Sequence, residues 1–205
     1  MIRRLMVLVP VLLLPLSATV TSTTESDAPA YTADGAMKLP INYREWIFLS
    51  SGLDMNYNSA APVSGQSTFD NVFVNPSSYR AFLATGTWPD KTTFILELRD
   101  AAAHSSIDKR GQSQATTVNA IEAHVKDEAK IPGKWGFFEF GSDKSAKITA
   151  RPAGCYTCHE AHGAVDTTFA QFYPTLIGVA KSKNTLSPEY LKDPVSFPGR
   201  SPASK

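Results

Sequence analysis

Between Leu39 and Lys181 the spacing of apolar and polar residues changes period several times. Trp46, Ile47, Phe48 and Leu49 form a short apolar run ended by Ser-Ser-Gly, which predicts a strand. NVFV (71–74) is a second run, and it passes directly into helix punctuation. Asn75 suits the N-cap, Pro76 the first helical position, and Gly86 the stop after YRAFLAT. The turn WPDK (88–91) then leads into TTFILELR, where Phe94, Leu96 and Leu98 share one face. Residues 101–116 are polar and read as a long loop. After it Ile121, Ala123 and Val125 alternate with Glu122 and His124, Pro132-Gly133 marks a turn, and KWGFFEF is the fifth strand candidate. Phe169, Phe172, Tyr173, Leu176 and Ile177 recur at helical spacing behind a candidate cap, Asp166. Pro174 inside that run predicts a kink or a late helix start. Strands in the middle with helices flanking them predict an α+β domain.

The two ends of the chain follow a different pattern. Arg3 and Arg4, an apolar run from Leu5 to Leu16 and then small residues reproduce the order of a secretory signal over 1–22, with the cut between Ala18 and Ser22. The run is short of the ~20 apolar residues a spanning helix needs, so no membrane span is expected after cleavage. Residues 23–36 are polar and read as a flexible leader. The folded domain is expected over 37–181, and the proline-rich, polar residues 182–205 read as a tail that leaves it.

Charge narrows the partners. Of 20 basic and 19 acidic residues, the signal removes Arg3 and Arg4 and no acid, leaving a net charge of −1. That balance favours neither nucleic acid nor an anionic membrane. The roughly 180 residues that remain suit one domain with a real core.

The chemistry is concentrated in GCYTCHEAH. Two thiols three positions apart reach the two vinyl groups of one haem, and the histidine directly after the second can turn its ring under the iron. Cys155 and Cys158 would therefore carry one covalent haem c, and His159 would ligate its iron. The alternatives each lack something. Zinc needs two further ligands at suitable spacing, and only scattered histidines such as His104, His124 and His162 remain. A thioredoxin-like dithiol should follow a strand, whereas Arg-Pro-Ala-Gly precedes this pair. A disulfide would close a very small loop. Both cysteines of the chain lie in the motif, which favours haem. Only 46 residues follow His159 and none is methionine, so a downstream Met ligand is excluded. Met37 and Met55 lie upstream and are read as packing residues.

Several segments resemble the cytochrome P460 family, which includes the beta-type cytochromes c-prime. They are LPINYREWIF, VFVNPSSYRAF, GTWPDKTTFILELR, IEAHVKD, GKWGFFEF, and CYTCH followed by FAQFYPTL. The resemblance implies a homodimer of subunits with a five-stranded antiparallel sheet, helices around it, and haem between sheet and helix. It implies a histidine on the proximal side, an open distal side, and ligands such as nitric oxide or hydroxylamine. In P460 proper a lysine just before a Glu-Leu pair is bonded to the haem. Here Leu96 precedes Glu97-Leu98, and Lys91 lies too early to reach. The cross-link is therefore expected to be absent, which puts hydroxylamine oxidation in doubt. Glu122 matches a distal carboxylate that serves P460 as proton acceptor, against the plainer reading of a solvent-facing residue on an edge strand. His124 shares its strand face; it is a candidate for a distal hydrogen bond or a sixth ligand, although a surface position is the plainer reading. Phe48, Phe69 and Phe73 are candidates for an aromatic distal wall.

These readings predict a periplasmic or otherwise exported c-type haem protein with an open distal site for small nitrogen ligands and an unidentified redox partner. The alternatives are P460-type hydroxylamine oxidation and a periplasmic electron-transfer cytochrome using Met55 or His124 as a second ligand.

Overall fold

Strands are numbered in chain order. β1 (Met37–Lys38) pairs antiparallel with β7 (Ser145–Ala146) in a small ribbon. The main sheet runs β2 (Ile47–Leu53), β3 (Thr68–Val74), β4 (Thr93–Ala103), β5 (Gln112–Lys126) and β6 (Trp135–Glu139), all antiparallel and in sequence order. Four helices accompany it: α1 (Pro76–Thr85), α2 (Gly154–His162), α3 (Ile177–Lys183) and α4 (Pro188–Lys192). The structure is a computed structural model and describes residues 26–55, 65–104 and 106–192. The expected signal over 1–22 and the tail beyond Lys192 lie outside the described residues. Among those described, no helix is long and apolar enough to cross a membrane.

The sheet is covered on both faces. One face packs Met37, Tyr43, Trp46 and Phe140 against Ile95, Ala123, Val125 and Phe138. The other packs Phe82 of α1, Trp88, Leu176 at the start of α3 and Ala180 within it against Val74, Phe94 and Trp135. Two-sided burial explains why β4 begins as a continuous buried run, Thr93 to Ile95, instead of alternating. Phe82 and Trp88 are almost completely buried with ring centroids 4.1 Å apart. Burying a side chain of that size contributes about 3 kcal/mol.

The helix α1 has the predicted ends, with Pro76 in its first turn and Gly86 left-handed at φ 77°. Asn75 stands at the N-cap but makes no side-chain capping bond. It is buried, and its Oδ1 accepts from the Thr93 backbone N–H at 2.9 Å, tying the helix to β4. The cap comes from Asp27, whose carboxylate accepts from the Ser77 N–H at 2.7 Å and the Ser77 hydroxyl at 2.6 Å. Pro174 delays the last run as expected: a 3₁₀ turn covers Ala170–Phe172, and α3 starts only at Ile177. Asp166 caps no helix; it takes a positive φ of 52° in a tight turn.

Three expectations are corrected. Polar residues 101–116 form mostly strand, because β4 and β5 continue past the core as a hairpin down to the pair Ala103 and Gln112. Polar side chains suit an extension with solvent around it. The leader is packed from Asp27 onward: Tyr31 meets Phe138 edge-on and donates its hydroxyl to Asp127. The supposed tail is part of the fold as far as Lys192, since Tyr190 of α4 is buried and Thr185 donates its hydroxyl to the Gly86 carbonyl at 2.7 Å. In both segments a single tyrosine anchor was outweighed by polar neighbours.

Candidate functional site

Strand register assembles one wall of a cavity. Ser50, Val72, Leu96, Glu122 and Glu139 stand side by side across the five strands. The next row towards α1 holds Val74, Phe94, His124 and Phe137, and the row on the other side holds Gly52, Asp70, Leu98 and Ala120. Side chains two apart on a strand point the same way, so these rows share one face. The opposite wall is α2 with the segment after it. Cys155, Cys158, His159, Phe169, Phe172 and Tyr173 face the strands across a cavity of about 420 Å³.

The helix presents its chemistry on one side because Cys155, Cys158 and His159 lie at i, i+3 and i+4. Tyr156 turns the other way and fixes α2 to the sheet. Its hydroxyl donates to the Thr149 carbonyl at 2.9 Å, and its ring meets Phe137 edge-on at 4.9 Å. Arg151 stacks on the outside of that ring at 4.0 Å and pairs with Glu160 at 2.7 Å.

His159 is held in one tautomer. Its Nδ1 lies 2.7 Å from the carbonyl oxygen of Thr167. A carbonyl only accepts, so Nδ1 carries the proton and Nε2 keeps a free lone pair. Burial lowers the pKa of the ring, keeping it neutral, and the Thr167 carbonyl opposes that in part. Burial also raises both cysteine thiols. These are not the acidified thiols of a redox dithiol. Among the described residues no three His, Cys, Asp or Glu side chains gather as a metal cluster.

The donor set fits a haem: two thiols on one helix face, a neutral imidazole nitrogen beside them, and a mostly apolar cavity of cofactor size. Cys155 and Cys158 would bind its edge and His159 its iron, supplying a metal centre able to exchange electrons and take a small ligand.

Glu122 lines the cavity from a strand with neighbours on both sides, so the solvent-facing edge position is ruled out. Its carboxyl is raised above the ordinary range by burial first, then by Glu139 and Asp70. Leu96 is its direct neighbour on β4, in the cavity wall. Lys91 sits at the turn, bonded to Asp127, and among the described residues no lysine lines the cavity. His124 is not a surface residue: it is 8% exposed, lies flat on Phe137 at 4.1 Å, and holds its Nε2 3.3 Å from the Thr167 hydroxyl. Its ring centroid is 4.8 Å from that of His159. With metal–nitrogen bonds of about 2 Å, two imidazoles flanking one metal need roughly 6 Å, so His124 and His159 cannot hold it between them.

Phe48, Phe69 and Phe73 do not line the cavity; Phe73 meets both Tyr43 and Phe48 edge-on at 5.7 Å on the far face of the sheet. Strand parity relative to Leu96 and its partner Val72 would have excluded Phe73. The aromatic wall consists of Phe94, Phe137, Phe169, Phe172 and Tyr173. Asp70 is a second cavity carboxylate, also raised by burial. It shares the face of Val72, so alternation finds it once that face is known to meet the cavity. Thr167 was not, since its carbonyl does the work and residue type is silent about a carbonyl. Met55 lines the rim near Gly52, whereas Met37 is core on the far face. His162 is exposed at the end of α2, and His104 is exposed in the β4–β5 hairpin turn.

An antiparallel sheet facing a CxxCH helix across a mostly apolar cavity defines an α+β haem-binding protein. The cytochrome P460 family profile matches residues 40–170, well over half of the chain, and the chain belongs to that family. Membership makes it a haem protein and implies haem of c type. No curated protein matches it.

Proposed function

We propose that this chain is an exported haem protein that binds or processes small nitrogen ligands, nitric oxide or hydroxylamine, with one haem c held by Cys155, Cys158 and His159. The observation that carries the reading is the position of Glu122: a desolvated carboxylate on an apolar wall that faces the CxxCH helix across the cavity. Haem bound there supplies a redox-active iron with a position for a small ligand.

The chain's own residues then divide the work. His159 offers Nε2 while the Thr167 carbonyl holds its other nitrogen. Val72, Leu96, Leu98 and Phe94 make the wall beside Glu122 apolar. Glu122, raised by burial, accepts a proton from a bound ligand at a pH where an exposed glutamate would be too weak a base. With leucine at position 96 the strand has no amine to bond the porphyrin, so ligand binding is preferred over P460-type hydroxylamine oxidation. Export rests on the N-terminal pattern, and pairing into a homodimer on the family likeness; the redox partner is open.

The test is the optical spectrum of the purified ferrous protein with and without CO and nitric oxide. A high-spin spectrum that changes on adding either gas supports the reading. A low-spin spectrum indifferent to CO overturns it in favour of an electron carrier, for which Met55 at the cavity rim is the available second ligand. A band far to the red of ordinary c-type haem would restore the oxidase.

A further inference from the structure

His124 has no part in the function proposed above, yet it is a buried imidazole beside the cavity. Its ring is sandwiched laterally by aromatics: Phe137 at 4.1 Å and nearly parallel, Trp135 at 4.5 Å, and the His159 ring at 4.8 Å and nearly perpendicular. Burial keeps it uncharged. Enclosing a polar ring in this way is costly unless its nitrogens find partners. The partner of Nε2 is the Thr167 hydroxyl, on the residue whose carbonyl holds His159.

The turn containing Thr167 is clamped from several directions. Val165 and Thr168 pair with each other across it. The Trp88 indole donates to the Thr168 hydroxyl at 2.8 Å, and that hydroxyl donates to the Val165 carbonyl at 2.8 Å. Gln171 takes the Ala164 N–H at 3.1 Å and donates to the His162 carbonyl at 2.8 Å. Ser187, ahead of α4, donates its hydroxyl to the Gly163 carbonyl. A side chain at Gly163 would come within 2.8 Å of the His159 carbonyl and of the Thr168 nitrogen, so only glycine lets the turn fold back this closely under His159.

We infer that His124 and Thr167 are positioning residues for His159: the buried imidazole anchors the threonine through its hydroxyl, and the threonine carbonyl fixes the tautomer and orientation of the ligand ring. A carbonyl bound to Nδ1–H makes the opposite nitrogen a stronger donor, which favours the ferric state of a bound iron. Loosening the anchor weakens that push. The inference rests on His159 being the haem ligand.

The experiment uses the haem-loaded protein and three variants, Thr167→Val, His124→Phe and His124→Gln. The first removes the hydroxyl but keeps its volume and the carbonyl. The second keeps the stacking and loses the nitrogen, and the third keeps a polar group at similar reach. The readouts are the iron–histidine stretching band in the resonance Raman spectrum of the ferrous protein and the reduction potential. Thr167→Val and His124→Phe are expected to lower and broaden the band and raise the potential, and His124→Gln to return both towards wild type. Band and potential unchanged in Thr167→Val and His124→Phe, with only thermal stability reduced, would overturn the inference and leave these residues as packing. Thr167→Val is nearly isosteric and partly exposed, so it carries the test even where His124→Phe fails to fold. A wild-type protein with no covalent haem would instead defeat the functional reading on which the inference stands.

Discussion

Burial raises the Glu122 carboxyl above the ordinary glutamate value of 4.5, and Glu139 and Asp70 add to it. An acid whose pKa is higher folded than unfolded binds more protons when folded, so its stabilising effect is complete below the unfolded value and is lost as pH rises through the folded one. At pH 7, well above the unfolded value, the burial of Glu122 therefore opposes folding. Glu122→Gln should raise the melting temperature at pH 7, with the gain fading below about pH 4.5. The same variant should retain CO binding and lose proton-coupled turnover of hydroxylamine or nitric oxide; unchanged stability and turnover would leave Glu122 a cavity-wall residue with no part in proton transfer. At this scale the covalent part of the site was legible because Cys155, Cys158 and His159 are local in sequence. Glu122 was visible only through likeness, since alternation alone does not say which face of a strand meets a cavity. His124 was misjudged for the same reason: polarity suggested the surface, and the aromatic shell around it comes from residues far away in the chain.

Elements were read well where punctuation is local. The ends of α1 are set by Pro76 and Gly86, and both are found there. Asn75 holds the N-cap position as read, but the capping bond comes from Asp27, in a segment with no other sign of order. Asp27→Ala should cost about 1 kcal/mol. Asn75→Ala leaves the buried Thr93 N–H without an acceptor and should cost about 2 kcal/mol, measured as urea unfolding of the haem-loaded protein. An Asn75→Ala loss no greater than that of Asp27→Ala would contradict the assignment of Asn75 as the link between α1 and β4. Gly163→Ala drives a methyl into the backbone of residues 159 and 168 and should cost 1–3 kcal/mol, about the range for overpacking. The β4–β5 extension was missed because a solvated hairpin carries neither the apolar run nor the alternation by which the other strands were read.

At the scale of the molecule, sequence drew the domain too small at both ends. Tyr31 and Tyr190 hold residues that composition had released, and the second of these segments supports the site, since Ser187 bonds to Gly163 and Ala164 just below His159. Ending the chain after Lys181 should therefore destabilise the haem-loaded protein by about 3 kcal/mol or more, from the loss of a buried aromatic and its neighbours. An unaltered urea midpoint in that truncation would show that α4 is dispensable. The α+β class and the strand candidates were legible because each carries its own pattern, and their antiparallel pairing through the family likeness, whereas the packing of the sheet against the C-terminal helices depends on contacts spanning the whole chain.

The proposed function depends most on Cys155, Cys158 and His159 holding a haem in the cavity that Leu96 and Glu122 line, with room for a small ligand. The direct measurement is the ferrous absorption spectrum before and after CO, made on protein whose peptide containing residues 155–159 has been shown by mass to carry the haem. The account predicts a high-spin spectrum that converts on adding CO. A low-spin spectrum that CO leaves unchanged would contradict it.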